Sequence, residues 1–260
     1  MLAAQKLNGI TGRGTRVAVV TGASSGIGAE VARSLARRGW RCVLLARRRE
    51  RLEELAAETD GEVEVCDVSD RSDVERAAAA VLERHPALRL LVNNAGIPGR
   101  AGFLELDAER IEQLAHTNYL GGVWCLRAFL PGLERGAPSD VVNVVSVAGT
   151  VAMRRSGPYS AAKAAQLAFS RATVAELRPR GVRVHAVNPG FVHTEGFPNL
   201  DRFRSPVWRR IVIGPERVAE HIAAVVGSNR VETYVPAWYR AAAVLQALAP
   251  GAFARLLAAR

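Results

Sequence analysis

A three-layer α/β fold around a central parallel sheet of about seven strands is the architecture that this 260-residue sequence predicts. Three observations carry the prediction. Short apolar runs alternate along the chain with longer segments of helical periodicity, the order that places helices on both faces of a parallel sheet. The first apolar run breaks into a glycine-rich turn that opens directly into a helix, an arrangement suited to an anionic ligand. Hydrophobic residues make up 49% of the chain, enough for a sizeable buried core.

The elements follow in order. RVAVV (16–20) is a short apolar run and reads as a buried strand. GIGAEVARSLARRG (26–39) is helical, with Ile27, Val31 and Leu35 on one face and Gly39 as its stop. RCVLLA (41–46) is the second strand and RERLEELAAE (49–58) the second helix. EVEVCDV (62–68) is a third strand, followed by a helix over 70–85. LRLLVNNAG (88–96) is a fourth strand ending in a turn, and a long helix covers about 107–130. DVVNVVSV (140–147) is the fifth strand, 157–178 a helix, and VRVHAVNPG (182–190) the sixth strand. A helix at 215–227 and a short strand near ETYVP close the pattern. No internal repeat or low-complexity linker divides the chain. It reads as one domain over 1–260, with a nucleotide half at about 14–135, a chemical half at about 136–236 and a helical extension at about 237–260.

The formal charge is +10, yet only Lys6 and Lys163 among the basic residues are lysines. The arginines are scattered rather than gathered on one stripe, which reads as compositional bias and argues against a nucleic-acid surface. Cys42, Cys66 and Cys125 sit in apolar runs without metal-ligand spacing, so they read as small buried hydrophobes. Without a disulfide framework, signal-peptide core or membrane span, the expected setting is a reducing cytoplasm.

VVTGASSGIG (19–28) is strand, turn and helix start. Gly22, Gly26 and Gly28 let the backbone approach a pyrophosphate, and the helix N-terminus at Ser24, Ser25 and Ile27 supplies free N–H groups. The end of the second strand selects the cofactor. An acidic residue there would hold the 2′-hydroxyl of NAD, whereas arginine accommodates the 2′-phosphate of NADP. Here Ala46 stands at that place, and Arg47 and Arg48 follow. A solvated, arginine-rich helix start is the competing reading, but composition does not explain the missing acid, so NADP(H) is favoured over NAD(H). Asp67 and Val68 close the third strand and NNAG (93–96) the fourth, on the edge where ligands lie in a doubly wound sheet.

Ser146 ends the fifth strand on the same edge, and Tyr159 and Lys163 are four apart on a helix and share a face. A lysine ammonium beside a phenol lowers the phenol's pKa and makes it usable as an acid or base. The Ser146 hydroxyl can hydrogen-bond an oxygen on which charge develops. A Tyr-x-x-x-Lys pair alone is a weak signal. In a chain that uses arginine almost everywhere, however, a retained lysine suggests a need for a compact ammonium.

With these motifs in view, residues 14 to 236 resemble the short-chain dehydrogenase/reductase family, whose fold is doubly wound and Rossmann-like. The matches run in order: TGASSGIG, DV at 67–68, NNAG, Asn118 in NYLGG, Ser146, YSAAK, and NPGFVHT at 188–194. The resemblance implies that Tyr159 transfers the proton, that Ser146 polarises the substrate oxygen, and that Lys163 binds the nicotinamide ribose. It further implies that Asn118 holds a water leading to Lys163, and that Asn93, Ala95 and Gly96 line the adenosine ribose. Asp67 and Val68 would lie at the adenine. Pro189 and Gly190 fall in the NPGFVHT motif, within which Val192 and Thr194 would touch the carboxamide and phosphates. No metal is implied. The implied assembly is a homodimer or homotetramer, acting on a small, lipophilic carbonyl or alcohol.

Phe191, Phe197 and Trp208 could wall an apolar pocket or serve as ordinary lid packing, and Arg202, Arg204, Arg209 and Arg210 could meet an anionic carrier or solvent. Beyond the shared motifs, Val244, Leu245, Leu248, Phe253, Leu256 and Leu257 make an apolar surface. A subunit contact, a cover for the substrate mouth and a peripheral membrane helix compete there, and packing on protein is preferred. Two function classes stay open: an NADP(H)-dependent carbonyl/alcohol oxidoreductase, with 3-oxoacyl-carrier-protein reduction as a variant, and a non-catalytic NADP-binding sensor or scaffold.

Overall fold

The computed structural model describes residues 16–99, 101–151, 155–195 and 211–258. Among them, strands β1 (Arg16–Thr21), β2 (Trp40–Ala46), β3 (Glu62–Val65), β4 (Leu90–Asn93), β5 (Ser139–Val144), β6 (Val182–Pro189) and β7 (Glu232–Val235) form one parallel sheet ordered β3-β2-β1-β4-β5-β6-β7. The chain therefore winds outward from β1 to β3, returns to the middle, and winds outward again from β4 to β7. This is the expected doubly wound α/β fold, and its switch point lies between β1 and β4.

The helices are α1 (Gly26–Ala36), α2 (Arg49–Thr59), α3 (Arg71–Arg84), α4 (Ala108–Ala115), α5 (Gly121–Arg135), α6 (Gly157–Leu177), α7 (Pro215–Val225), α8 (Tyr239–Leu248) and α9 (Pro250–Ala258). Strand alternation deals the core to two faces. Ala18, Val20 and Leu44 meet Val31 and Leu35 of α1, Leu52 of α2 and Ile222 of α7. Val17, Val19 and Val43 meet Val81 of α3, Phe129 of α5 and Leu177 of α6. Each of the Val, Leu, Ile and Phe side chains among them contributes about 1.5–3 kcal/mol when fully buried. Ser34 of α1, with Arg37 and Arg38 in the turn that follows it, also bonds to Glu220 of α7, which fixes the first helix against α7.

The element boundaries differ from expectation mainly on the ligand edge. β3 stops at Val65, β4 at Asn93 and β5 at Val144, each three residues early. There the backbone trades sheet bonds for bonds to side chains: Asp73 accepts from the Asp67 N–H (2.7 Å), Thr21 Oγ1 from the Asn94 N–H (3.0 Å), and Ser146 Oγ from the Ala148 N–H (3.1 Å). Ser146 is thus the cap of a short 3₁₀ turn, two residues past the strand it was expected to end. The long helix expected to stop at 130, before Pro131, continues as α5 to Arg135. It also contains a π-turn, His116–Leu120, between α4 and α5. Burial of Phe129, Gly132 and Leu133 on both sides of the proline outweighs its lost N–H bond.

In the C-terminal extension, Tyr239, Ala242, Ala243 and Phe253 pack with Val147, Val151 and Phe191, whereas Val244, Leu245 and Leu248 stay exposed. Of the residues expected on the apolar surface, Phe253 of α9 packs on the protein, while those on α8 do not. Phe197, Trp208 and the arginines at 202–210 lie outside the described residues, as do the side chains of Leu256 and Leu257. No helix among the described residues is long and apolar enough to cross a membrane.

Candidate active site

A cavity of about 800 Å³ opens along the carboxyl ends of the strands, at the switch point. Its floor begins at the glycine turn. Gly22 has φ +65°, and a Cβ there would lie 2.8 Å from the Ala95 Cα, so the β1 and β4 turns meet only because this residue has no side chain. A Cβ on Gly28 would sit 2.3 Å from the Gly22 carbonyl oxygen. The contact is tied by Asn94, whose Nδ2 donates to the Thr21 carbonyl (3.0 Å), and by Thr21 Oγ1, which accepts from the Ala95 N–H (3.0 Å). Helix α1 starts against this turn. Its N-cap Ser25 makes no side-chain cap bond, unlike Asp70 of α3 and Asp107 of α4, which accept from the first-turn N–H groups of their helices. The α1 terminus keeps N–H groups available for an anion at the positive end of its dipole.

Arg48 reaches over this turn. Its guanidinium donates to Ser24 Oγ (3.1 Å), Ser25 Oγ (2.7 Å) and Glu195 Oε2 (3.1 Å). Arg47 turns the other way and pairs with Asp67 at 3.5 Å. Of the two arginines, then, the second reaches the glycine turn. The Asp67 carboxyl is buried enough to disfavour its charge. Even so, hydrogen bonds from Ser69 and the nearby Arg47 hold it below the usual carboxylate range.

On the opposite side of the cavity, Asn118, Ser146, Tyr159 and Lys163 line the same space as Gly22, Ser24, Gly26 and Arg48. The π-turn carries Asn118 into the core, where its side chain donates to the Ile97 carbonyl (3.1 Å) and accepts from the Ile97 N–H (3.0 Å). A Cβ on Gly96 would fall 2.7 Å from Asn118 Oδ1 and 3.8 Å from Lys163 Nζ, so that glycine keeps the space between them open. Lys163 is buried and donates to the Val144 carbonyl (3.0 Å) and to Gln166 Oε1 (2.9 Å). Burial lowers its pKa to about 7.

Pro189, Gly190, Phe191, Val192 and Thr194 line the β6 side, with Val68, Ala95 and Gly96 facing them. Asn93 does not line the cavity as expected. It is buried beneath the floor, where its Nδ2 donates to Asn143 Oδ1 (2.9 Å), and Asn143 donates to Ser170 Oγ (2.8 Å). The strand period explains this, since Asn93 is still inside β4 and its successor Asn94 is the residue that turns to the glycine loop. Phe197, expected at the substrate, is outside the described residues.

Among the residues of this site that sequence reasoning missed, three bear on its charge and closure. Glu195 directly follows the NPGFVHT motif. Gln166 stands three residues after Lys163, on the same helix face. Tyr239 closes the cavity from the extension, its ring 2.1 Å from where a Gly190 Cβ would be. Helical spacing alone could have found Gln166; the other two needed the fold. The three cysteines are buried, and burial pushes the Cys42 and Cys66 thiols up to about 12, so both are inert.

The short chain dehydrogenase family model matches residues 16–204. A Streptomyces coelicolor protein provisionally named a ketoacyl reductase is 36% identical over 82% of this chain and 90% of its own. Among solved structures, an alcohol dehydrogenase from the archaeon Thermococcus sibiricus, complexed with 5-hydroxy-NADP, superposes with a TM-score of 0.75 at 32% identity, covering 85% of this chain and 96% of that one. A variant of actinorhodin polyketide ketoreductase with NADPH gives 0.77 at 32% identity, covering 88% and 99%. Fold, ordered motifs and these relatives agree: the chain belongs to the short-chain dehydrogenase/reductase family of oxidoreductases.

Proposed function

We propose that this protein is an NADP(H)-dependent oxidoreductase that interconverts a lipophilic carbonyl compound and its alcohol, with Tyr159 as the acid/base. The observation that carries the reading is the convergence of Asn118, Ser146, Tyr159 and Lys163 on the cavity that also holds the crowded glycine turn and Arg48. The cradle fits a dinucleotide. Gly22 and Gly28 admit phosphate to the backbone, the uncapped α1 N-terminus receives it, and Arg48 with Ser24 offers donors to a 2′-phosphate. The structural relatives named with NADP(H) support the same choice. Bound there, the dinucleotide supplies the hydride for reduction at a carbonyl carbon, or accepts it in the reverse direction.

The chain's own residues do the rest. Ser146 donates a hydrogen bond to the carbonyl oxygen. Tyr159 gives that oxygen its proton as the carbon accepts hydride, so carbonyl, hydride and proton sum to the alcohol. Lys163 stabilises the resulting phenolate. A buried amine with a pKa of about 7 serves this step because it can take up and release a proton near neutral pH. Around the reacting atoms Ile97, Pro98, Val147, Phe191 and Tyr239 supply apolar surface, which supports a lipophilic substrate. The ketoacyl and polyketide reductase relatives favour 3-oxoacyl chains within that class.

Turnover of a panel of 3-oxoacyl thioesters, ketones and aldehydes with NADPH and NADH tests the proposal. NADPH should be preferred. Tyr159→Phe should keep dinucleotide binding and lose about 10²- to 10⁴-fold in rate. Tight NADPH binding with no turnover across the whole panel would instead support the sensor or scaffold reading.

A further inference from the structure

Arg48 and Glu195 come from opposite walls of the cavity, Arg48 just past β2 and Glu195 just past β6. They meet across it: Arg48 donates to Glu195 Oε2 at 3.1 Å while its remaining donors hold Ser24 and Ser25. The hydrogen bond from Arg48 holds the Glu195 carboxyl below its ordinary range, with Ser25 and the charge of Arg51 adding to it. The anion that the arginine and serines would receive from NADP(H) therefore has a rival already on the arginine. Both partners are about half exposed, so the pair is weak and exchangeable, which suits a ligand that must displace it.

We propose that Glu195 occupies the place of the 2′-phosphate on Arg48 and opposes its binding, and thereby sets how strongly this chain prefers a 2′-phosphorylated adenosine. The inference rests on the NADP(H) reading above and adds a residue to it. Two effects act in the same direction. The carboxylate must release the guanidinium, and once released it remains a negative charge next to an incoming dianion. An unphosphorylated adenosine meets neither effect, because its ribose hydroxyl has no need of the guanidinium charge. Removing the Glu195 charge should therefore tighten one ligand and leave the other alone.

The test is calorimetric titration of the full-length protein with 2′,5′-ADP and with 5′-AMP, which isolates the 2′-phosphate without any turnover. Wild-type protein should prefer 2′,5′-ADP. Glu195→Gln should tighten 2′,5′-ADP about three- to ten-fold, leave 5′-AMP within about two-fold, and leave the melting temperature unchanged because the pair is exposed. In an Arg48→Met background the gain should shrink to the part that comes from charge repulsion alone, because no guanidinium is left to be released. If wild-type protein shows no preference for 2′,5′-ADP, the NADP(H) reading falls and this inference with it. If the preference is present but Glu195→Gln does not strengthen it, or tightens both ligands equally, Glu195 is not the rival anion and the NADP(H) reading survives.

Discussion

The two ends of β5 each carry a buried ionisable contact, and the protein treats them in opposite ways. At the start of the strand, Asp140 accepts from Arg183 Nε and Nη2 (both 2.8 Å), from His185 Nε2 (2.8 Å) and from the Gly227 N–H (3.1 Å). Burial disfavours its charge, but these partners outweigh burial and hold its carboxyl near 2. At the other end, the Val144 carbonyl receives Lys163, whose second partner is the neutral Gln166 amide. Nothing offsets burial there, and the amine falls to about 7. A compensated charge stays charged and pins β5, β6 and the turn after α7 together. An uncompensated one sits between its two protonation states, which suits the proton-transfer role proposed for Lys163.

The largest effect should come from removing the uncompensated group. Lys163→Met should lower turnover by about 10³-fold. Its unfolding free energy should shift by no more than about 1 kcal/mol, because the lost hydrogen bonds are offset by relief of the buried amine. A variant that unfolded outright while wild type was stable would show Lys163 to be a structural charge like Asp140 and break the contrast.

The reverse pattern is expected at the other end. Asp140→Asn should cost about 3 kcal/mol in urea unfolding, near the low end for a broken buried pair because Arg183 is partly exposed. Dinucleotide affinity of the folded protein should stay as in wild type, since the lesion lies at the far edge of the sheet. A fall in affinity without a fall in stability would overturn this division of labour.

Acid should act on the same residue more gently. The Asp140 pKa is depressed on folding, so its stabilisation is complete above the unfolded value of about 3.8 and is lost as pH falls toward 2. The loss is roughly 2 kcal/mol over that window. Wild type should show this slope, and Asp140→Asn should lack it.

What the sequence made legible follows from which interactions are local. The parallel sheet, the glycine turn and the Tyr159–Lys163 face depend on strand and helix periods, and these were readable. The strand ends on the ligand edge were not, because Thr21, Asp73 and Ser146 draw the backbone away with side-chain bonds that hydrophobic runs do not encode. Asn93 was placed in the cavity from its motif, yet it faces the polar row under the floor. Glu195 reaches Arg48 only through a chain return of 147 residues, and Tyr239 reaches the cavity only because the C-terminal extension packs its ring on Gly190.

The smallest and most direct effect is a titration. The chain has two lysines, so selective isotope labelling yields two side-chain signals, and the one missing from Lys163→Met belongs to Lys163. Its midpoint should lie near 7 in the ligand-free protein. The sign of the linkage agrees: the folded amine releases its proton earlier than the unfolded one, so the burial penalty is full below pH about 7 and is relieved as pH rises toward 10.5. Gln166→Glu then converts this end of β5 into the likeness of the other, placing a carboxylate where an amide oxygen now stands 2.9 Å from Nζ. An opposite charge at that distance should raise the lysine midpoint by about 1–3 units. If wild-type Lys163 already titrates near 10.5, or if Gln166→Glu leaves the midpoint where it was, burial without a counter-charge is not what distinguishes the two ends of the strand.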